Sequence, residues 1–260
     1  MNRTELLTWA TDHLRTDSRV RGVWITGSTA RGTDDEFSDL DLLAVVPDPA
    51  GAVVEDWLVA VRRAMPLVYH QVLDFGPTVV VNHIVGDDWL RFDLLIGPPD
   101  VLRGLSRRTA KVVFDHDQID LPEEGPVARP SADVVAKVVP EFLRVAALLP
   151  VALGREDYVV AASGSTLLRT MLIQLMVESV EVEDRGGALH LSTLLAPQHY
   201  RTLEALPAIV ATRESAIDFQ RSCLDAFLPL ALDLCRRTGV TWPDEFATAV
   251  RRRLAAVFAP

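Results

Sequence analysis

An α/β N-terminal domain followed by an α-helical bundle is the architecture that this 260-residue chain predicts. Three observations lead there. Short β-branched and apolar runs bounded by turn residues are confined to the first half of the sequence. The stretch from Leu121 to Pro130 has three prolines in ten residues and no periodicity, so it reads as a linker. Beyond it come long Ala- and Leu-rich stretches with helical spacing and few strand signals. The expected domains are residues 1–122 and 131–260.

Taken in order, Leu6, Leu7, Ala10 and Leu14 lie on one face of a helix. Strands follow at about 21–26 and 40–46, and Pro47-Asp48-Pro49 breaks the chain. Val54, Leu58, Val61 and Met65 give helical spacing over 53–65, ended by Pro66. A hairpin is expected next. The β-rich run 78–85 leads into the turn chemistry of Gly86-Asp87-Asp88, and 89–96 returns as a strand closed by Gly97-Pro98-Pro99. A short helix near 100–105 precedes a last strand at 111–115. In the second half, helices are expected over 132–149, 157–183, 199–206, 213–238 and 244–258. There is no internal repeat and no low-complexity tract.

Composition narrows the class. Apolar residues make up 49% and charged residues 24%, the balance of an ordinary globular protein. No uninterrupted apolar run reaches the ~18 residues of a membrane span, and the N-terminus lacks the apolar core of a signal peptide. Cys223 and Cys235 stand alone, without metal-ligand spacing, which argues against a disulfide framework. The cytoplasm is the expected location, with no membrane partner. The net charge of −10 is uneven: residues 1–125 carry 12 basic and 21 acidic side chains, residues 126–260 carry 14 and 15. An acidic first half disfavours nucleic acid and suits a cationic small molecule with metal ions.

The chemistry concentrates in residues 27–41. Gly27-Ser28 follows the run Val23-Trp24-Ile25-Thr26, and eleven residues after Ser28 the alternating acids Asp39 and Asp41 open Leu42-Leu43-Ala44-Val45-Val46. On a strand, side chains at i and i+2 share a face, so the two carboxylates are expected to project together. Such a pair repels itself unless a cation intervenes, and hard oxygen ligands suit Mg²⁺ sharing its shell with substrate phosphates. The turn offers backbone N–H groups and the Ser28 hydroxyl to a phosphate.

Gly27-Ser28-x-Ala30-Arg31-Gly32 with Ser38-Asp39-Leu40-Asp41-Leu42 resembles the nucleotidyltransferase superfamily that includes DNA polymerase β. Within it, the lincosamide and aminoglycoside antibiotic enzymes are the most similar. The resemblance implies a catalytic domain with a mixed β-sheet and a helical acceptor-binding domain, with the site in the cleft between them. It implies an NTP, most often ATP, as co-substrate and two Mg²⁺ ions held by Asp39, Asp41 and a third acid. Asp93, inside the apolar strand run Arg91-Phe92-Asp93-Leu94-Leu95-Ile96, is the candidate for that third acid and for the base. Gly27, Ser28, Arg31 and Ser38 are the expected nucleotide contacts. Glu156 is a second candidate base, because Gly154-Arg155-Glu156 resembles the Arg-Gly-Glu start of the family's helical domain, although here the glycine precedes the arginine. The implied acceptor is a small hydroxyl-bearing molecule. A protein side chain or an RNA end, or a binding protein without turnover, are the alternatives, and the oligomeric state, a homodimer included, stays open.

Other features carry blander readings. Asp34-Asp35-Glu36 reads as a solvated loop, and His70 and His83 as structural histidines on strand-like runs. Lys111 and Asp115-His116-Asp117 resemble the strand-turn that ends the family's catalytic domain and read as structural. Glu178, Glu181, Glu183 and Asp184 either bind an amine or lie on a solvated face. Arg185 and His190 have the spacing of a helical ribonuclease motif, but two intervening glycines favour an interhelical turn.

Overall fold

The computed structural model describes residues 1–47, 50–186 and 190–258. The expected break at Pro47-Asp48-Pro49 and the expected turn within 185–190 therefore lie partly outside the described residues. Two compact units divide the chain, Met1–Pro126 and Val127–Pro260.

The first unit is a six-stranded mixed sheet with helices packed on one face. Its elements are α1 (Arg3–Thr16), β1 (Gly22–Ile25), α2 (Gly27–Arg31), β2 (Leu40–Val45), α3 (Gly51–Ala64), β3 (Leu67–Asp74), β4 (Val79–Val85), β5 (Leu90–Gly97), a 3₁₀ turn (Pro99–Leu102) and β6 (Lys111–Asp115). The strand order is β3-β4-β5-β2-β1-β6. Only β2 and β5 run parallel; the other neighbours are antiparallel. Strand alternation sorts the side chains between two faces. Leu40, Leu42 and Ala44 join Leu6, Ala10 and Leu14 of α1 and Val54, Trp57 and Val61 of α3 in one core cluster. Trp24, Leu43 and Val45 pack on the opposite face with Leu102, Ala110 and Leu121. The expected linker is thus anchored at its start, since Leu121 is part of that core.

The first unit contains two elements that the sequence pattern did not separate. Gly27-Ser28 is the start of a single helical turn, α2, and not only a turn, with Thr33 N–H closing onto Ser28 O at 3.0 Å. β3 is an edge strand exposed on both faces over much of its length, so it carries no period-2 apolar signal.

Among the described residues the elements of the second unit are helices: α4 (Ala132–Ala146), α5 (Leu149–Gly154), α6 (Tyr158–Glu178), α7 (Leu191–Leu194), α8 (Pro197–Glu204), α9 (Arg213–Thr238) and α10 (Asp244–Phe258). Its core is Val135, Val139, Phe142 and Leu143 of α4, Leu168, Leu172 and Leu175 of α6, and Phe219, Phe227 and Leu234 of α9. The Phe142 and Phe227 rings stack 3.5 Å apart. Among the described residues α6 alone is long and apolar enough to cross a membrane by length and composition. Arg169 interrupts its apolar run, and one side of the helix is committed to this core. The helix also stops five residues short of the expected end at 183. Arg185 explains the stop: its guanidinium donates to Glu178 O at 2.8 Å and Val180 O at 3.0 Å, satisfying carbonyls that a continuing helix would have used.

Candidate active site

The sheet face away from α1 and α3 carries the acids. Asp41 on β2 and Asp93 on β5 are register partners across the parallel pair. The alternation that buries Leu40, Leu42, Phe92 and Leu94 on the helix-covered face turns both acids to the other one. Asp39 stands just before β2, half-buried, two residues from Asp41. Asp93 is lifted above the usual carboxylate range, first by burial and then by the charge of Asp39, while Asn82 and Arg91 oppose the shift. Asn82 is the register partner of Asp93 on β4. Register thus sets Asp41 beside Asp93, and the charge of Asp39 is felt at Asp93.

The turn after β1 meets the same acids. Thr26 N–H donates to Asp41 O at 3.0 Å. Gly27 has φ +63°, and a Cβ built on it would overlap Asp41 Oδ2 and stand 2.7 Å from Asp41 Cγ. The missing side chain makes room for the carboxylate, and the left-handed backbone suits glycine. Directly after it, the Ser28 and Thr29 hydroxyls are buried and have no hydrogen-bond partner among the described residues. A buried hydroxyl left unpaired costs free energy, and two such hydroxyls follow Gly27 directly in the chain. Arg31 closes the helical turn, half-buried, ahead of Gly32 at φ +69°.

The spacer 33–38 is pinned from both sides. Arg3 of α1 donates to Asp35 O at 2.9 Å and Ser38 O at 3.2 Å and pairs with Asp34. Arg91 of β5 donates to Phe37 O at 2.9 Å. The Ser38 hydroxyl is engaged within this loop, donating to Asp35 Oδ1 at 2.8 Å and accepting from Asp35 N–H at 3.0 Å. Asp34 and Asp35 thus belong to a structured clamp, which a reading as free solvated charge does not capture. Neither Arg3 nor Arg91 had a sequence signal for this contact, because both lie more than thirty residues from the atoms they hold.

Among the described residues no three acid, histidine or cysteine side chains are grouped so as to enclose a metal ion by themselves. The donor set still fits Mg²⁺: hard carboxylates, a mutual repulsion that a cation would relieve, and orphaned hydroxyls beside them. Mg²⁺ typically takes one or two carboxylates and completes its shell with water and phosphate.

Glu156 belongs to the helical unit, in the turn between α5 and α6, exposed and at φ +54°. His83 is a satisfied core residue. Trp57 Nε1–H donates to its Nε2 at 3.0 Å, its Nδ1 meets Phe92 O at 3.1 Å, and its ring stacks on Phe92 at 4.1 Å. Burial pushes its pKa down to about 4. Two acids of the cluster at the end of α6 are paired: Glu178 binds Arg185 at 2.9 Å and accepts from Ser131 N–H at 2.5 Å, and Glu181 binds Arg237 of α9 at 2.6 Å.

Residues 8–76 match the family model described as nucleotidyltransferase domain, a span from α1 through β3 that contains the Gly-Ser turn and both alternating acids. No curated protein matched the chain. Among solved structures, an aminoglycoside 6-adenyltransferase from Bacillus subtilis is 15% identical over 100% of both chains, with a TM-score of 0.46. A nucleotidyltransferase-like protein from Exiguobacterium sibiricum is 12% identical over 98% of this chain and 87% of its own, at 0.32. A CCA-adding enzyme in complex with ATP is 12% identical over 98% and 71%, at 0.37.

Proposed function

We propose, from the nucleotidyltransferase domain that residues 8–76 match, that this protein transfers a nucleoside monophosphate, AMP from ATP, to a hydroxyl of a small molecule and releases pyrophosphate. One observation carries the reading: Gly27 is fitted against the Asp41 carboxylate while Ser28 and Thr29 hold buried, unpartnered hydroxyls beside it. In this reading the turn binds phosphate and the acid beside it binds metal, so the two act as one unit.

In this reading Asp39 and Asp41 would hold Mg²⁺ on the nucleotide, with Asp93 completing the set. The ion supplies neutralisation of phosphate charge when bound. Ser28, Thr29 and the backbone of the turn donate to phosphate oxygens, and Arg31 adds positive charge. The acceptor oxygen forms a bond to the α-phosphorus as the bond to the β-phosphate bridging oxygen breaks. Asp93, on the same sheet face as Asp41, is the group that takes the acceptor proton in this reading. The chain contributes mainly orientation and preorganised charge. The helical unit would carry acceptor recognition, and an aminoglycoside or lincosamide is the acceptor class to examine first.

Incubation with α-labelled ATP, Mg²⁺ and a panel of hydroxyl-bearing acceptors, read by pyrophosphate release, tests this. Asp41→Asn should lower turnover by at least a thousandfold with an unchanged far-UV spectrum. Near-normal turnover in the folded variant overturns the assignment. Transfer to RNA ends or protein side chains with no small-molecule product would relocate the acceptor class.

A further inference from the structure

The chain contains 24 arginines and only two lysines, Lys111 and Lys137. One of the two stands beside the Gly-Ser turn. Lys111 opens β6, the edge strand paired with β1, where it is the register partner of Ile25, two residues before Gly27. Its Nζ lies 3.4 Å from Thr29 O, the carbonyl of the residue whose hydroxyl is buried without a partner. Among the described residues no carboxylate lies within 4.0 Å of this ammonium, whereas Arg19, Arg21, Arg107 and Arg108 each have an acidic partner. A single exposed contact of 3.4 Å is a weak tether.

We infer that Lys111 is a phosphate-binding residue of the nucleotide site, placing its ammonium on the terminal phosphates of the NTP. The inference rests on the nucleotidyltransferase reading above and adds to it a residue outside the matched span of 8–76. Charge supplies the reason. Residues 1–125 are net −9, and the triphosphate must settle next to Asp39, Asp41 and Asp93. Metal ions offset part of that repulsion at the acids, but the outer phosphates lie beyond them and need their own cation. Lys111 is loosely held at the Thr29 carbonyl, one residue from Ser28. A compact ammonium with three rotatable donors suits a phosphate oxygen whose direction changes as pyrophosphate departs, where a planar guanidinium would favour one fixed bidentate geometry.

The scarcity of lysine makes the test direct. The full-length protein would be acetylated with an N-hydroxysuccinimide ester, and the modification of Lys111 and Lys137 followed by peptide mass spectrometry. Both are exposed, so Lys137 is an internal reference. ATP with Mg²⁺, and inorganic tripolyphosphate with Mg²⁺, should slow acetylation of Lys111 at least fivefold and leave Lys137 unchanged; adenosine should protect neither. In parallel, Lys111→Ala should raise the calorimetric Kd for ATP–Mg²⁺ by ten- to hundredfold, the worth of a charge-assisted hydrogen bond, with Lys111→Arg in between. If the native protein binds ATP–Mg²⁺ yet Lys111 is not protected, or the Lys111→Ala Kd is unchanged, the inference falls and the nucleotidyltransferase reading stands. If the native protein binds no nucleotide triphosphate, both fall.

Discussion

Gly27 and His83 show how single residues are set by what surrounds them. At Gly27 any Cβ meets Asp41, and the backbone is at φ +63°. Gly27→Ala should therefore cost about 1–3 kcal/mol of stability from the left-handed strain. It should also lower turnover by about a hundredfold, because displacing the Asp41 carboxylate by an ångström spoils the alignment. Thermal denaturation and pyrophosphate release read the two effects separately. His83 predicts a pH dependence. Its pKa is held at about 4 in the folded protein against 6.5 for a free histidine, so the unfolded chain takes up the proton first as pH falls. The stability contribution is fully present above about pH 6.5 and is lost progressively down to about pH 4, roughly 3 kcal/mol in all. His83→Gln should flatten urea-unfolding stability between pH 7 and pH 4 by about that amount. Tryptophan fluorescence is the apt probe, since four of the five tryptophans, Trp9, Trp24, Trp57 and Trp89, lie in the first unit. The sequence marked Gly27 by its neighbours in the motif. It could not show the collision with Asp41, which depends on β1 and β2 lying side by side.

Among the elements, those with one buried face were the easiest to read. β2, β4 and β5 alternate cleanly or run apolar, and α3, α4 and α9 repeat their apolar residues at helical spacing. β3 escaped because both of its faces are largely exposed, and α5 and α7 because they are too short for a period to register. The end of α6 escaped for a different reason: Arg185, seven residues past Glu178, supplies the cap. Glu178 joins three elements' worth of polar groups there. It is 7% exposed, pairs with Arg185 and accepts from the Ser131 N–H at the start of α4. Glu178→Ala would take the carboxylate from the Arg185 charge, which keeps its two carbonyl acceptors, and leave the Ser131 N–H without its partner; it should destabilise the helical unit by about 3 kcal/mol. Loss of ellipticity at 222 nm during heating would report it, with the tryptophan-monitored transition of the first unit unmoved. Retention of the helical unit's stability would show that water replaces Glu178 without cost.

On the scale of the whole molecule, the two units allow ligand effects to be assigned. Mg²⁺ with ATP at about a hundred times its Kd should stabilise the first unit by about 2.7 kcal/mol. The shift should appear in the fluorescence transition and vanish on adding EDTA, because in the proposed site the triphosphate meets Asp39, Asp41 and Asp93 through Mg²⁺. An unshifted transition under saturating nucleotide would argue against a site built on these acids. Sequence by itself determined the class of the protein: an α/β unit with a mixed sheet, an α-helical unit after it, and the Gly-Ser and Asp-x-Asp segments that lie within the matched residues 8–76. It could do so because those signals are local. Periodicity spans a few residues, and the motif occupies fifteen consecutive positions. Tertiary structure decided which distant groups lie beside that motif, Asp93, already the candidate third acid in the sequence, among them. Asp93 is placed opposite Asp41 by parallel pairing of β2 and β5, Arg3 and Arg91 are brought to the spacer loop, and Lys111 is carried by β6 to the turn after β1. Those contacts span from about thirty to more than eighty residues of chain, and strand order and register, rather than any neighbouring residue, bring them about.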